Sequence, residues 1–221
     1  MRAVVPVKGF DDPKRRLAGV LNPTERAGLT RVMMLDVLTA LRAVYGLDGV
    51  LVISGDDRVL ALAREHGAAC ERETLPSDYN TAVRQTARRL LADGDGGLLH
   101  LPGDVPFVSA QDVESVLAAH GSAPAATLVP ARDGDGTNCL ALSPPDLIAP
   151  AFGPGSFRRH RSQLLAAGIE PAVLDLPGIG LDIDTPDDLV LSCLWAGAEE
   201  TMRFLREIDI CGRLPQMLAR L

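Results

Sequence analysis

The sequence predicts an α/β fold in which a mostly parallel sheet is covered by helices on both faces. Short apolar runs rich in β-branched residues alternate with longer segments of helical periodicity, which is the pattern of successive βαβ units. A chain of 221 residues with 47% hydrophobic residues can also bury a self-sufficient core. No repeat, low-complexity tract or linker separates the elements, so we expect one domain.

The strands are expected where the apolar runs lie. These runs are Arg2–Val7, Gly49–Ser54, Gly97–Pro102, Ala125–Pro130, Cys139–Ser143 and Pro171–Leu176, with a shorter one at Ala68–Arg72. The clearest helix spans Pro23–Val44, because Asn22 can cap it, Pro23 suits its first position and Glu25 completes a capping box. Further helices are predicted at Asp57–His66, Asn80–Ala92, Ala110–His120 and Phe157–Ala167, and another runs from Pro186 into the tail.

The end of the chain is interpreted as an addition to the main domain. We place the domain at residues 1–198 and a helical C-terminal extension at 199–221. Met202, Leu205 and Ile208 form an apolar stripe at helical spacing in this extension. The stripe could pack internally or against a second subunit, so a homodimer is one of two options.

Composition limits the partners and the compartment. The net charge of -7 and the sequence pI near 5.1 argue against a nucleic-acid-binding surface, which needs clustered cations. The four cysteines show no CxxC spacing, which favours reduced thiols in a cytoplasmic protein. The first residues are too short for a signal segment, and no apolar run of about 18 residues occurs, so we expect neither export nor a membrane span.

Carboxylates follow two of the predicted strands. Asp104 stands in the turn Leu101–Pro106, while Asp182 and Asp184 follow the strand Pro171–Leu176. Ligands of open parallel sheets gather at such strand ends, and Mg²⁺ prefers fixed oxygen ligands. An extended backbone would place Asp182 and Asp184 on one side, two rises of about 3.3 Å apart. The alternatives are that Asp104 is a turn residue and that Asp184 or Thr185 caps the helix at Pro186.

A basic loop follows the first strand. Both lysines of the chain, Lys8 and Lys14, fall in this loop beside Arg15 and Arg16. Point charges and a forked guanidinium suit a polyphosphate, so the loop is a candidate phosphate site. The alternative is a solvated loop whose cations pair with the adjacent aspartates.

A glycine-rich turn before the helix Phe157–Ala167 is a candidate anion cradle. The segment 152–160 places Gly153, Gly155 and Ser156 before a first helical turn that carries Arg158 and His160. Cations are disfavoured at a helix N-terminus, and an anion bound there would reverse the penalty. We expect free amides near Gly155 and Ser156, unless Ser156 is only an N-cap with exposed arginines.

Several common catalytic motifs are absent. The sequence has no GxxxxGK[ST] phosphate loop, GxSxG elbow, HExxH helix or GxGxxG turn at the first strand. P-loop NTPase, α/β-hydrolase, zincin and Rossmann dehydrogenase interpretations are therefore excluded. His100 lies in a predicted strand, where a core or edge position is expected, and only His160 falls in a candidate site.

The ordered set of motifs resembles one enzyme family. The segments, all between residues 3 and 189, are PVK, PKRRL, ERAGLTRVMMLDVLTAL, LPGDVP, DGTN, FGPGSFRRH and GLDIDTPDDL. Together they resemble the 2-phospho-L-lactate and phosphoenolpyruvate guanylyltransferases of coenzyme F420 biosynthesis. The resemblance implies a nucleotidyltransferase fold of the glycosyltransferase-A type, with a mixed, mostly parallel sheet. It also implies GTP and Mg²⁺, and transfer of GMP to a small phosphorylated acid with release of pyrophosphate.

The resemblance also assigns roles to residues. It implies metal ligation by Asp104, Asp182 and Asp184, acid binding by Thr137, Gly153 and Ser156, and triphosphate contacts from Lys8, Lys14 and Arg16. Asn80, in the segment Asp78–Ala82, is similar to a nucleotide-binding position of the family. The acceptor stays open among 2-phospholactate, phosphoenolpyruvate and 3-phosphoglycerate. An acceptor phosphate is already ionised near neutral pH, so no general base is required.

Two other functions remain as alternatives. One is a nucleotidyltransferase of the same architecture, such as a molybdenum-cofactor guanylyltransferase or a cytidylyltransferase, although the usual GxG-x-R loop is missing from residues 6–17. The other is a non-catalytic nucleotide-binding module. The separate acidic sites and the anion cradle exceed what a sensor needs, which favours the enzyme.

Overall fold

A seven-stranded sheet forms the centre of the computed structural model, which describes residues 1–73, 78–210 and 212–214. The strands are β1 (Arg2–Pro6), β2 (Val50–Ser54), β3 (Ala69–Arg72), β4 (Leu98–His100), β5 (Ala125–Pro130), β6 (Thr137–Ser143) and β7 (Ala172–Val173). Their spatial order is β3-β2-β1-β4-β6-β5-β7. All seven predicted strands are present, although β4 and β7 are shorter than the apolar runs that indicated them.

Helices cover the sheet and extend beyond it. They are α1 (Pro23–Ala43), α2 (Asp57–Glu65), α3 (Tyr79–Ala92), α4 (Ala110–Ala119), α5 (Ser156–Ala166), α6 (Pro177–Gly180), α7 (Pro186–Ser192) and α8 (Glu199–Glu207). The capping box at the start of α1 is confirmed, because Asn22 accepts from the Glu25 amide and Glu25 accepts from the Asn22 amide. Each bond satisfies a backbone donor that the helix leaves unpaired.

The direction of β6 decides the geometry of the site. Strand β1 runs parallel to β2 and β4, but β6 runs antiparallel to both β4 and β5. In the pairing, His100 at the end of β4 lies opposite Leu140 of β6. The residues that begin β6 therefore lie at the same sheet edge as those that follow β1 and β4. The fold is the predicted mixed, mostly parallel one.

The segment after Pro186 differs from the single helix that the sequence predicts. Helix α7 ends at Ser192 and α8 begins only at Glu199. Gly197 and Ala198 adopt φ angles of 95° and 50°, which a continuing right-handed helix does not allow. The short helix α6 was also not expected from the sequence.

The helical extension shares a hydrophobic core with the preceding residues. Leu205, Ile210 and Leu214 are buried in one cluster with residues of the loop after β1 and of α1, and Met202 and Ile208 pack against it. The apolar stripe thus packs internally. Asp36 of α1 accepts hydrogen bonds from the Glu200 and Thr201 amides at the start of α8. The single tryptophan, Trp195, lies against Phe107 with ring centroids 5.2 Å apart.

The cysteines depart in one place from the expectation of reduced thiols. Cys70 is half-buried and Cys139 is buried, and both are free. Cys193 is disulfide-bonded, which no short cysteine spacing in the sequence signals. Cys211 lies outside the described residues. In the described ranges no helix is long and apolar enough to cross a membrane.

Candidate active site

A cavity of about 760 Å³ opens at the edge of the sheet where β1 and β4 end and β6 begins. Eight of the residues singled out from the sequence line it: Lys8, Lys14, Arg16, Asp104, Thr137, Gly153, Asp182 and Asp184. Asn80, Gly155 and Ser156 are not in its lining. The fold therefore brings together residues that lie up to 176 positions apart in the sequence, from Lys8 to Asp184.

Asp104 follows β4 in a turn that packs closely against the residue after β1. A Cβ at Gly103 would lie 2.9 Å from a methyl carbon of Val7, so the close approach of this turn to β1 requires glycine. The Ile183 amide donates to the Asp104 carbonyl at 3.1 Å. This backbone bond ties the first acidic segment to the second.

Asp182 and Asp184 project into the cavity from one extended segment. Ile183 between them is fully buried in the hydrophobic cluster, as side-chain alternation requires. Asn138 donates to the Asp182 carboxylate at 3.1 Å. Burial raises the pKa of Asp182 to about 6, the Asp104 and Asp184 charges add to this rise, and the Asn138 bond opposes it. Thr185 and Asp188 form the capping box at the start of α7. Asp184 is therefore not the cap of this helix.

Lys14 lies between the two acidic segments. Its Nζ is 2.6 Å from the Asp104 carboxylate and 2.6 Å from the Asp184 carboxylate, and its side chain is only 7% exposed. Burial works to lower the pKa of the ammonium, but the two carboxylates outweigh it and raise the pKa above its ordinary value. Lys14 is therefore a cation at the centre of the acidic cluster.

The same oxygens suit a divalent cation. Asp104 and Asp184 already converge on one positive charge, and Asp182 lies close enough for their charges to raise its pKa. Carboxylate oxygen is the ligand type that Mg²⁺ prefers. Within the described ranges, no three acidic, histidine or cysteine side chains are arranged to hold a metal ion as they stand. A metal at this point would have to replace the Lys14 ammonium.

The rest of the basic loop supplies cations at the mouth of the cavity. Lys8 and Arg16 are exposed and line it. Asp12 pairs with Arg15 and Arg26, and Asp11 pairs with Arg58, so the neighbouring aspartates do not neutralise the lining cations. The alternative of a loop whose cations all pair locally therefore does not hold for Lys8 and Arg16 among the described residues.

The glycine-rich turn before α5 does not present free amides. The Gly155 amide donates to the Asp135 carboxylate at 2.6 Å, and the Ser156 amide donates to the Gly153 carbonyl at 3.0 Å. The expectation of free amides is wrong because a side chain from the loop before β6 occupies the anion position. Gly153 still lines the cavity, and the binding roles of Gly153, Gly155 and Ser156 stay predictions.

Ser156 is buried beneath the cavity wall rather than exposed on it. Its hydroxyl donates to the Thr137 hydroxyl oxygen at 3.3 Å, and Thr137 lines the cavity. His160 Nδ1 lies 3.0 Å from the same Thr137 oxygen. Thr137 is thus the member of this group that lines the cavity.

Asn80 holds the cavity wall together. Its amide nitrogen donates to the Phe152 carbonyl at 3.2 Å and its amide oxygen accepts from the Phe152 amide at 2.7 Å. Both halves of the side chain are therefore used within the protein, and the nucleotide contact predicted for Asn80 stays a prediction.

Four further residues line the cavity although the sequence did not indicate a role for them at the site: Tyr79, His100, Phe152 and Asn138. Tyr79 bonds His100 Nε2 at 2.7 Å, and His100 stacks on Phe152 with ring centroids 4.0 Å apart. The DGTN motif contains Asn138, and its polar place at the start of a buried strand was the signal that could have identified it.

Comparison with known proteins shows the family. The family model described as "Guanylyl transferase CofC like" matches residues 1–216. The chain is 43% identical over 187 residues to a phosphoenolpyruvate guanylyltransferase of Rubrobacter xylanophilus, covering 85% of this chain and 90% of that protein. It is 34% identical to a 3-phospho-D-glycerate guanylyltransferase of Phenylobacterium zucineum, covering 85% and 87%. It is 33% identical to a 2-phospho-L-lactate guanylyltransferase of Methanothermobacter thermautotrophicus, covering 93% and 90%.

Solved structures are similar in fold. A putative nucleotide-diphospho-sugar transferase from Desulfovibrio desulfuricans matches with a TM-score of 0.77 over 98% of this chain and 97% of that one. The two sequences are 19% identical, so this likeness concerns the fold alone.

Proposed function

We propose, from the premise that this chain belongs to the guanylyl transferase CofC-like family, that it transfers GMP from GTP to a small phosphorylated three-carbon acid. Pyrophosphate is the second product. The sequence motifs resemble those of enzymes with this activity. The relatives are named as guanylyltransferases of three different acids. The observation that carries the proposal is the cavity in which paired carboxylates, exposed cations and a threonine hydroxyl meet at one sheet edge.

The chemistry is dominated by charge. An oxygen of the acceptor phosphate must approach the α-phosphate of GTP, and both groups are anionic. Lys8 and Arg16 at the cavity mouth stabilise the charge that builds up on the departing pyrophosphate. No residue has to remove a proton from the acceptor, because its phosphate is already ionised near neutral pH.

The acidic cluster fits Mg²⁺, which we propose as the cofactor. Asp104, Asp182 and Asp184 would hold it, since two of them already share a cation and all three line the cavity. A bound Mg²⁺ supplies Lewis-acid polarisation of the phosphoryl oxygens. With Mg²⁺ held by these carboxylates, the Lys14 ammonium would be available as a third cation for the phosphate groups.

Phosphoenolpyruvate is the acceptor we put forward. The relative with 43% identity is named for this acid, whereas those named for 3-phospho-D-glycerate and 2-phospho-L-lactate share 34% and 33%. All three acids carry a phosphate and a carboxylate on three carbons. The cavity must therefore distinguish them by the carbon that bears the phosphate and by a few other atoms.

The test is a direct assay of product. The protein is incubated with GTP, Mg²⁺ and each of the three acids separately, and products are identified by mass. We expect a guanylyl diester and one pyrophosphate per diester, formed fastest with phosphoenolpyruvate. Asp104→Asn protein is the matched control, because it keeps the size of the side chain and removes its charge. If folded wild-type protein forms no diester with any of the acids, the proposed function is wrong.

A further inference from the structure

His160 is buried beside the cavity, and the reaction as described gives it no role. It lies on α5, its side chain is not exposed, and its ring packs edge-on against Phe152 with centroids 4.8 Å apart. Phe152 lines the cavity, whereas His160 is not part of the lining. Packing alone would be satisfied by an apolar ring, yet both nitrogens of His160 have polar partners.

The partner of Nε2 identifies the tautomer of His160. Nε2 lies 2.9 Å from the Ala151 backbone nitrogen. A backbone N–H can only donate, so Nε2 must carry the lone pair. The ring is therefore neutral with its proton on Nδ1. Burial lowers the pKa of His160 to about 4, and the neighbouring Arg159 charge adds to the effect, so the neutral form persists at physiological pH.

The proton on Nδ1 determines what Thr137 can do. Nδ1–H donates to the Thr137 hydroxyl oxygen at 3.0 Å, and the Ser156 hydroxyl donates to the same oxygen at 3.3 Å. A threonine hydroxyl has two acceptor lone pairs and one proton. Both lone pairs are thus occupied. In the part of the chain that the structure describes, the hydroxyl proton has no acceptor, and Thr137 borders the cavity.

We infer that His160 is a positioning residue that fixes the Thr137 hydroxyl as a hydrogen-bond donor toward an anionic oxygen of the acceptor acid. The inference rests on the proposed function for the identity of the ligand. The chain of bonds runs from the Ala151 amide through the imidazole to Thr137, each group donating to the next. A hydroxyl free to rotate would present its lone pairs to the anion part of the time, and this arrangement prevents that.

The tautomer can be tested without any substrate. The chain has four histidines, and a long-range ¹H–¹⁵N spectrum separates their tautomers. We expect the signals lost in His160→Gln protein to be those of a neutral ring protonated on Nδ1, unchanged from pH 6 to pH 8. A ring protonated on Nε2 would overturn the inference whatever the enzyme does.

Two substitutions separate positioning from packing. Asn places its amide nitrogen near the position of Nδ1 and can still donate to Thr137. Gln is closer to His in size and reaches the position of Nε2, but it leaves Thr137 without that donor. We expect His160→Gln to raise the KM for the acid about tenfold and His160→Asn about threefold or less, with the KM for GTP unchanged in both.

A purely structural role predicts the reverse order. Gln, the better replacement by volume, would then be the milder change, and loss of activity would follow loss of thermal stability for both substrates. Measured melting temperatures and the two KM values distinguish these results. Equal KM values for the acid in wild-type and His160→Gln protein would also refute the inference, whereas absence of transfer by the wild type would refute the proposed function instead.

A double-mutant cycle provides the last check. Thr137→Val removes the hydroxyl that His160 is inferred to orient. If His160 acts through Thr137, adding His160→Gln to Thr137→Val causes no further increase in the KM for the acid. Two full and independent increases would show that the residues act separately and would overturn the inference.

Discussion

Asp182 and Asp184 have different surroundings although only one residue separates them. Asp184 shares the Lys14 ammonium with Asp104, whereas Asp182 accepts from Asn138 and feels two neighbouring negative charges. Charge removal at these two positions should therefore change stability in opposite directions. Both changes should remove activity, because both carboxylates belong to the proposed metal site.

Asp182→Asn should stabilise the metal-free protein at neutral pH. The folded-state pKa of about 6 is above the ordinary 3.8, so between these values the folded protein binds more protons than the unfolded one. Stability contributed by Asp182 therefore falls as pH rises from 3.8 to 6, and the full penalty applies above 6. In EDTA at pH 7.5 we expect a gain of about 1 kcal/mol, with little change at pH 4.

The matched control is Asp184→Asn. It leaves the buried Lys14 ammonium with a single carboxylate, which should cost about 1 to 3 kcal/mol. Urea unfolding at the two pH values measures both variants, and kcat in Mg²⁺ should fall by about 100-fold or more in each. A stability loss in Asp182→Asn equal to that in Asp184→Asn would contradict the opposite roles.

Lys14 should move when Mg²⁺ and GTP bind. The chain has only two lysines, so protein labelled with ¹³C at the lysine ε-carbon gives two resonances, and Lys8→Arg protein identifies the one from Lys14. We expect the Lys14 resonance to shift on addition of Mg²⁺ with GTP, since a dication and the ammonium compete for Asp104 and Asp184. Asp182→Asn protein should show a weaker response. A Lys14 resonance that saturating Mg²⁺ and GTP leave unchanged would disprove this competition.

At the scale of elements, strand direction explains which half of the site could be predicted. Asp104 and the basic loop follow strands β4 and β1, and the rule for parallel sheets places them together. Thr137 begins β6, and a site residue at the start of a strand requires that strand to be antiparallel. Side-chain alternation could not supply this direction. The Asp135 bond that fills the anion position is a contact between two loops, which no local pattern encodes.

Asp36 is a polar residue on the apolar face of α1, and its contact with α8 explains its presence there. Its carboxylate caps the first turn of α8 from a different helix, 164 residues away in the sequence. We expect Asp36→Ala to cost about 1 to 2 kcal/mol because two amides lose their acceptor, and Asp36→Asn to cost less. Urea denaturation measures the difference. Equal stability of Asp36→Ala and the wild type would show that α8 does not depend on this cap.

At the scale of the whole molecule, the family and the cavity make one joint prediction about nucleotide and metal. GTP should support faster pyrophosphate release than ATP, CTP or UTP, because the family transfers guanylyl groups. Activity should disappear in EDTA and return with Mg²⁺. The acceptor phosphate and the α-phosphate of GTP are both anionic, and a dication offsets their repulsion. Pyrophosphate assays with each nucleotide check the first point. Equal rates with all four nucleotides would contradict the preference for GTP, and full activity in EDTA would contradict the need for Mg²⁺.

The single tryptophan gives the molecule an optical signal of its own. Trp195 touches Phe107, which lies three residues after Asp104 and belongs to the same buried cluster as Ile183 between the other two aspartates. Indole fluorescence depends on the polarity and proximity of neighbouring groups. A small displacement of the turn that carries Asp104 therefore changes the intensity or the wavelength of the emission. The unlabelled enzyme therefore contains a fluorescent reporter whose time course can show the order in which metal, nucleotide and acid arrive.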